Sequence, residues 1–115
     1  MPIVEVTYRP GIPTETLRAL AAQLPNEVSV AVASEVEPYD GNLQPGDVEV
    51  RFRELGPMDV SGMDVVVEIR SKLAVDRERD AQARIDRLCT RLVEITRLHR
   101  VGVYLTMPAA VWSQT

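Results

Sequence analysis

Ile3-Val4-Glu5-Val6 and, 63 residues further on, Val66-Val67-Glu68-Ile69 repeat one pattern: β-branched aliphatic residues around a single carboxylate. Each copy is followed by a cation (Arg9, Lys72) and then by a helix-like stretch. Alternation and β-branching make each copy a strand, and the repetition makes the chain two copies of one unit. Working outward from the first copy, the strand spans Ile3 to Tyr8 and is closed by Pro10, Gly11 and Pro13. Thr14 then reads as a helix cap, and Leu17, Leu20, Ala21, Leu24 and Val28 fall at helical spacing, which predicts an amphipathic helix to about Ser34. Pro25 interrupts it as a kink or a restart, and the alternation of Val28, Val30 and Val32 also permits a strand. Glu37 to Asp47, with two prolines, two glycines, Asp40 and Asn42, reads as an exposed loop. Val48, Val50 and Phe52 alternate with Glu49, Arg51 and Arg53, a second strand with one apolar and one charged face.

Around the second copy, Val65 to Ser71 is the third strand, preceded by turns at Gly56-Pro57 and Ser61-Gly62. Asp76 reads as the cap of a long helix lined by Ile85, Leu88, Cys89, Leu92 and Ile95, and Val101 to Thr106 is the fourth strand, ended by Pro108. The order βαββαβ divides into half-repeats of about 1–58 and 59–115, and each βαβ half joins parallel strands through a right-handed crossover. The expected fold is therefore α/β: one domain with a four-stranded mixed sheet and both helices on one face. The other face is left open, with charges near its strand ends and enough valine for sheet-to-sheet association.

Composition limits the functions available. The chain has 115 residues, 45% apolar and 26% charged, which fits one globular domain and argues against disorder. A net charge of -4 supplies no field for a nucleic-acid backbone. One cysteine, Cys89, and one histidine, His99, make neither a structural zinc site nor an intrachain disulfide; the expectation is a metal-free cytoplasmic protein, with both residues structural. The longest uncharged run, Val101 to Thr115, is too short to span a membrane, and Met1-Pro2-Ile3-Val4-Glu5 meets a carboxylate before any leader segment forms. A domain of this size hides only about 60–65% of its unfolded surface, which favours oligomerisation.

Met1-Pro2-Ile3 leading straight into a strand of a duplicated βαβ chain resembles the tautomerase superfamily, which uses an amino-terminal proline as catalyst. Pro2-Ile3 with Tyr8-Arg9-Pro10-Gly11 is similar to the opening of the 4-oxalocrotonate tautomerase and 3-chloroacrylic acid dehalogenase groups. Arg53-Glu54-Leu55-Gly56 resembles the end of their second strand, and Tyr104-Leu105-Thr106-Met107-Pro108-Ala109 with Trp112 resembles the fourth strand and tail. The resemblance implies a fold like that of macrophage migration inhibitory factor, a homotrimer, a small carboxylate substrate and no cofactor. It also implies Pro2 as catalyst and Arg9 as the grip on the substrate carboxylate. Departures are informative. Ile12 stands where a second arginine commonly follows, the second-strand cation falls on Glu49, and the tail glutamate of the cis dehalogenase corresponds to Gln114, which favours proton shuttling over hydrolytic dehalogenation.

The chemistry is coherent. An amino-terminal proline is a secondary amine; α-amino groups titrate near pH 8, and neighbouring cations or burial lower that value. Such a base can remove a proton α to a carbonyl and return it to another carbon, provided cations or hydroxyls stabilise the dienolate oxygen. Arg9, Arg51, Arg53, Arg70, Lys72 and Tyr104 are the candidates, with Arg9 as a bidentate clamp. Each has a plainer reading: Arg9 covering apolar surface with its stem, Arg51 and Arg53 as a solvated or intersubunit face, Arg70 pairing with Glu68 or Glu49, and Tyr104 and Trp112 as packing anchors. Because Val65 stands in the second half where Pro2 stands in the first, one site per chain is expected.

Overall fold

The computed structural model describes residues 1–37 and 42–115. The elements run β1 (Ile3–Tyr8), α1 (Thr14–Ala31), a 3-10 turn (Pro45–Asp47), β2 (Glu49–Glu54), β3 (Val65–Arg70), α2 (Val75–Arg79), α3 (Ala81–Thr96) and β4 (Val101–Thr106). The sheet order is β2-β1-β3-β4, with β1 parallel to β2, β3 parallel to β4 and β1 antiparallel to β3. Each βαβ half therefore contributes one parallel pair, and the two inner strands join the halves. At the centre of that join Glu5 lies opposite Glu68, the carboxylates of the two repeated sequences. The repeat thus appears in space as an approximate two-fold axis through that pair.

Alternation decides which side chains the sheet buries. Val4 and Val6 of β1 and Val65, Val67 and Ile69 of β3 point to the helices and form the core with Leu20, Leu24 and Val28 from α1, Val32 just past its end, and Leu88 and Leu92 from α3. Leu20, Leu24, Val28 and Val32 recur every fourth residue and all are fully buried, a continuous ridge along one helix face and its cap. That ridge runs on both sides of Pro25, which lies inside one continuous helix, so the restart and strand alternatives give way. Val30, 69% exposed, sits off the ridge.

Several boundaries differ from expectation for local reasons. The helix is capped by Pro13 rather than Thr14, which is its first residue, after a turn at Gly11 whose φ of 91° suits glycine. It ends at Ala31 instead of Ser34. Asp76 does not cap the long helix: it lies in the first turn of the short α2, and its carboxylate accepts from the Ser34 hydroxyl (2.8 Å) and the Glu35 N–H (2.9 Å). The long helix starts five residues later, at Ala81, and ends at Thr96; Arg97 caps it with a left-handed φ of 61° and donates its N–H to the Val93 carbonyl (2.8 Å). The loop expected over Glu37 to Asp47 contains the 3-10 turn, held by the Asp47 carboxylate on the Gln44 N–H (2.9 Å); residues 38–41 of it lie outside the described residues.

The carboxyl end of α1 carries no basic residue of its own. Its carbonyls are met by guanidiniums from the second half. Arg77, fully buried, donates through Nε to the Val32 carbonyl (2.6 Å) and through Nη1 to the Lys72 carbonyl, and Arg84 donates to the carbonyls of Ala33 (2.6 Å) and Ala31 (3.2 Å). Cations at the negative end of a helix satisfy otherwise orphaned carbonyls and complement its dipole. This clamp also fixes the chain at Lys72, where β3 has just ended.

Candidate active site

Pro2 is buried at the head of β1, and its carbonyl accepts the Glu49 N–H (3.0 Å), so the proline ring is set by the β1–β2 pairing. Beside it, Met1, Ile3, Arg70, Lys72 and Trp112 line a cavity of about 160 Å³. A larger recess of about 570 Å³, sharing Met1, Lys72 and Trp112 with it, runs on along Glu37 and Gln114. Two cations thus converge on the Pro2 end. Arg70 is placed there by the register that sets it opposite Ile3, and it makes no ion pair among the described residues, which removes its plainer reading as a partner of Glu68 or Glu49. Lys72 Nζ lies 3.5 Å from the Glu37 carboxylate.

The other candidates lie elsewhere. Arg9 is at the opposite end of β1, about 23 Å of extended chain from Pro2. There its Nε donates to Asp64 Oδ1 at 2.6 Å and its Nη1 to the Pro10 carbonyl (3.2 Å). That guanidinium, aided by the Arg100 backbone N–H and opposed by partial desolvation, holds the Asp64 carboxyl below the ordinary aspartate range. Arg51 and Arg53 stand on the helix-free face opposite Glu5 and Thr7, with Arg53 Nε 3.7 Å from Glu5. Tyr104 stands opposite Glu68 on that same face. Tyr104 and Trp112 are 66% and 57% exposed, so within one chain neither is the buried packing anchor the sequence suggested. Within one chain Arg70 and Lys72 meet at a cavity lined by Met1 and Ile3, the chain neighbours of Pro2, while Pro2 itself is buried and outside that lining; Arg9, Arg51, Arg53 and Tyr104 lie away from it.

The open face carries the expected charges but less valine than the sequence suggests. Most strand valines point to the helices; the register leaves Ile3, Val66 and Tyr104 among Glu5, Glu49, Glu68, Arg51, Arg53 and Arg70. It is a balanced charged lattice. A further recess, near Ser34, Asp76, Asp80 and Arg84, is lined by groups already bonded to one another: the Ser34 hydroxyl holds the Asp76 carboxyl low, with help from the Glu35 and Arg77 N–H groups, and Arg84 donates to Asp80 (2.6 Å). Cys89 donates to the Val101 carbonyl (3.4 Å), a structural contact. Among the described residues no cluster of histidine, cysteine and carboxylates is arranged around a metal position, and no helix is long and apolar enough to cross a membrane.

Sequence reasoning did not give weight to Glu37 or to the backbone of Lys72 as parts of this end of the molecule. No periodic signal marks either. Their placement depends on Arg77 and Arg84 reaching back to α1, a contact between halves of the chain.

The fold and site together define a class: a duplicated βαβ protein with a proline at the head of its first strand and cations beside it. No protein-family model matches the sequence, and no curated protein matches it. Solved structures do. Malonate semialdehyde decarboxylase is similar over 96% of this chain and 88% of its own, with a TM-score of 0.71 and 14% identity. N1, a member of the cis-3-chloroacrylic acid dehalogenase family, is similar over 93% and 75%, with a TM-score of 0.61 and 19% identity. A macrophage migration inhibitory factor-like protein from Entamoeba histolytica is similar over 94% and 89%, with a TM-score of 0.63 and 12% identity. The chain has the fold of the tautomerase superfamily.

Proposed function

We propose that this chain, with Met1 removed, is a cofactor-independent tautomerase, an isomerase that uses the Pro2 amine as general base on a small 2-oxo or 2-hydroxy-dienoate carboxylic acid. The observation that carries the reading is the placement of Pro2 at the head of β1 beside a cavity on which Arg70 and Lys72 converge. The Pro2 nitrogen takes the proton of the substrate's 2-hydroxyl, the electron pair moves through the dienolate, and the ammonium returns the proton to carbon. One O–H bond is lost and one C–H bond is made, with no change in redox state. Arg70 and Lys72 hold the carboxylate and offset the charge on the dienolate oxygen.

The working form of this reading is a homotrimer in a single soluble, cytoplasmic domain of two half-repeats, with the lattice of charges on the open sheet faces meeting between subunits. Such an assembly is how Arg9, Arg51, Arg53 and Tyr104, remote from Pro2 in their own chain, become substrate-binding residues for a neighbour's Pro2. With Met1 retained, the same trimer is a non-catalytic binding or scaffold module. Two observations favour that second reading for the untrimmed chain: Met1 lines both recesses, and its amide bond leaves Pro2 without a basic nitrogen.

The test compares the trimmed protein with a form in which an added residue before Met1 blocks trimming. Trimmed protein should accelerate ketonisation of enol phenylpyruvate or 2-hydroxymuconate, with the rate falling at acid pH as the amine protonates, and the blocked form should not. Equal rates from the two forms would remove the amine from the chemistry.

A further inference from the structure

The buried hydroxyl of Ser71 has no hydrogen-bond partner among the described residues. It is 1% exposed, so solvent does not supply one. Its place is defined by register. β1 and β3 are antiparallel with Ile3 opposite Arg70, so the next step outward sets Ser71 opposite Pro2. The Arg9 N–H bonds the Asp64 carbonyl at the other end of the same ladder, which makes Pro2 and Ser71 one of the pairs that exchange no backbone hydrogen bonds. Consistently, the Pro2 carbonyl turns outward to Glu49 and the Ser71 N–H outward to the Thr106 carbonyl. Pairs of this kind bring their side chains closest, and both residues lie in the alternation that faces the helices.

A buried hydroxyl without a partner calls for an explanation. Here the neighbour's chemistry gives one. While Met1 is attached, the Pro2 nitrogen is a tertiary amide with neither a hydrogen to donate nor a lone pair to offer. Removing Met1 turns it into an amine with both, and frees the ring to rotate about its Cα–C bond because no residue precedes it.

We propose that Ser71 is a positioning residue whose hydroxyl becomes the hydrogen-bond partner of the Pro2 amine once Met1 is removed. This rests on the reading of Pro2 as a basic amine and adds a residue that orients and tunes it. The charge-assisted bond from ammonium to hydroxyl oxygen is stronger than the bond to the neutral amine, so Ser71 raises the Pro2 pKa above what the nearby cations alone would set.

The experiment titrates the Pro2 amine directly, by nuclear magnetic resonance of isotope-labelled proline in trimmed wild type, Ser71→Ala and Ser71→Thr, alongside melting temperatures of trimmed and trimming-blocked forms. Ser71→Ala should lower the Pro2 pKa by roughly half a unit or more, and Ser71→Thr should keep it near wild type. The acid limb of kcat/KM should move with it. Ser71→Ala should also cost stability in the trimmed protein and none in the blocked one. An unchanged Pro2 pKa in Ser71→Ala overturns the inference, as does equal stability loss in both forms. The outcomes remain separable from the reading beneath them: an inactive Pro2→Ala with an unshifted Ser71→Ala refutes the role of Ser71 alone, whereas a shifted Ser71→Ala with a fully active Pro2→Ala refutes Pro2 as the base alone.

Discussion

Arg77→Met replaces the buried guanidinium with an apolar side chain of similar reach and leaves the Val32 and Lys72 carbonyls without the donor that now serves them. Each buried carbonyl left unsatisfied costs about 1–3 kcal/mol. Removing the charge relieves part of the desolvation that a fully buried guanidinium suffers, which offsets some of this loss. A net destabilisation of about 2 kcal/mol follows, or roughly 8 °C in Tm for a domain near this size. The consequence extends to the site, because Arg77 holds the Lys72 backbone and Lys72 lines both recesses beside Pro2. Activity measured well below Tm should therefore fall mainly through a raised KM. Calorimetry at neutral pH checks the first part and steady-state kinetics at 25 °C the second. A Tm within about 2 °C of wild type would refute the clamp as a stabilising contact, and an unchanged KM would sever it from the site.

Three further outcomes test separate parts of the structure. Arg70→Ala should raise KM for a carboxylate substrate about tenfold or more, since bonds to charged groups contribute roughly 1.5–3 kcal/mol, and uncharged enols should show less effect in the same assay. Asp64 has its folded pKa depressed by Arg9, so the stability it contributes is present above the ordinary aspartate value of about 3.9 and is lost as pH falls through the lower folded value; Asp64→Asn should flatten this acid limb in denaturation midpoints collected across that range. Arg51→Glu puts a third carboxylate beside Glu5 and Glu68 on the open face and should lower the mass seen by light scattering at micromolar concentration, where wild type should be a trimer.

Much of the fold is legible in the sequence because its signals are local. The phrase shared by residues 3–6 and 66–69 marks the inner strands, and the spacing of Leu20, Leu24 and Val28 marks the ridge of α1. The end of α1 and the start of α3 differ from the sequence expectation for one common reason. Asp76 has the residue type and position of a helix cap, yet its carboxylate serves Ser34 and Glu35, more than forty residues away in sequence. Likewise nothing in the composition of α1 shows that its terminal carbonyls are met by Arg77 and Arg84. Of the candidate residues, Arg70 is suggested by its place at a strand end and Pro2 by the family resemblance, and the structure sets Arg70 opposite Ile3, the residue after Pro2. The separation of Arg9 from Pro2 follows from strand length and direction, and the pairing of Arg9 with Asp64 needed the third dimension.

The most direct test is the ketonisation rate of Pro2→Ala against wild type, both confirmed by intact mass to lack Met1. The substitution leaves a primary amine at the same point of the chain, so charge and fold are kept while the secondary amine on its rigid ring is lost. The expected result is a fall in kcat/KM of at least about tenfold, within the contribution that a positioned general base makes. Rates equal to wild type, from protein whose mass shows complete removal of Met1, would contradict Pro2 as the base.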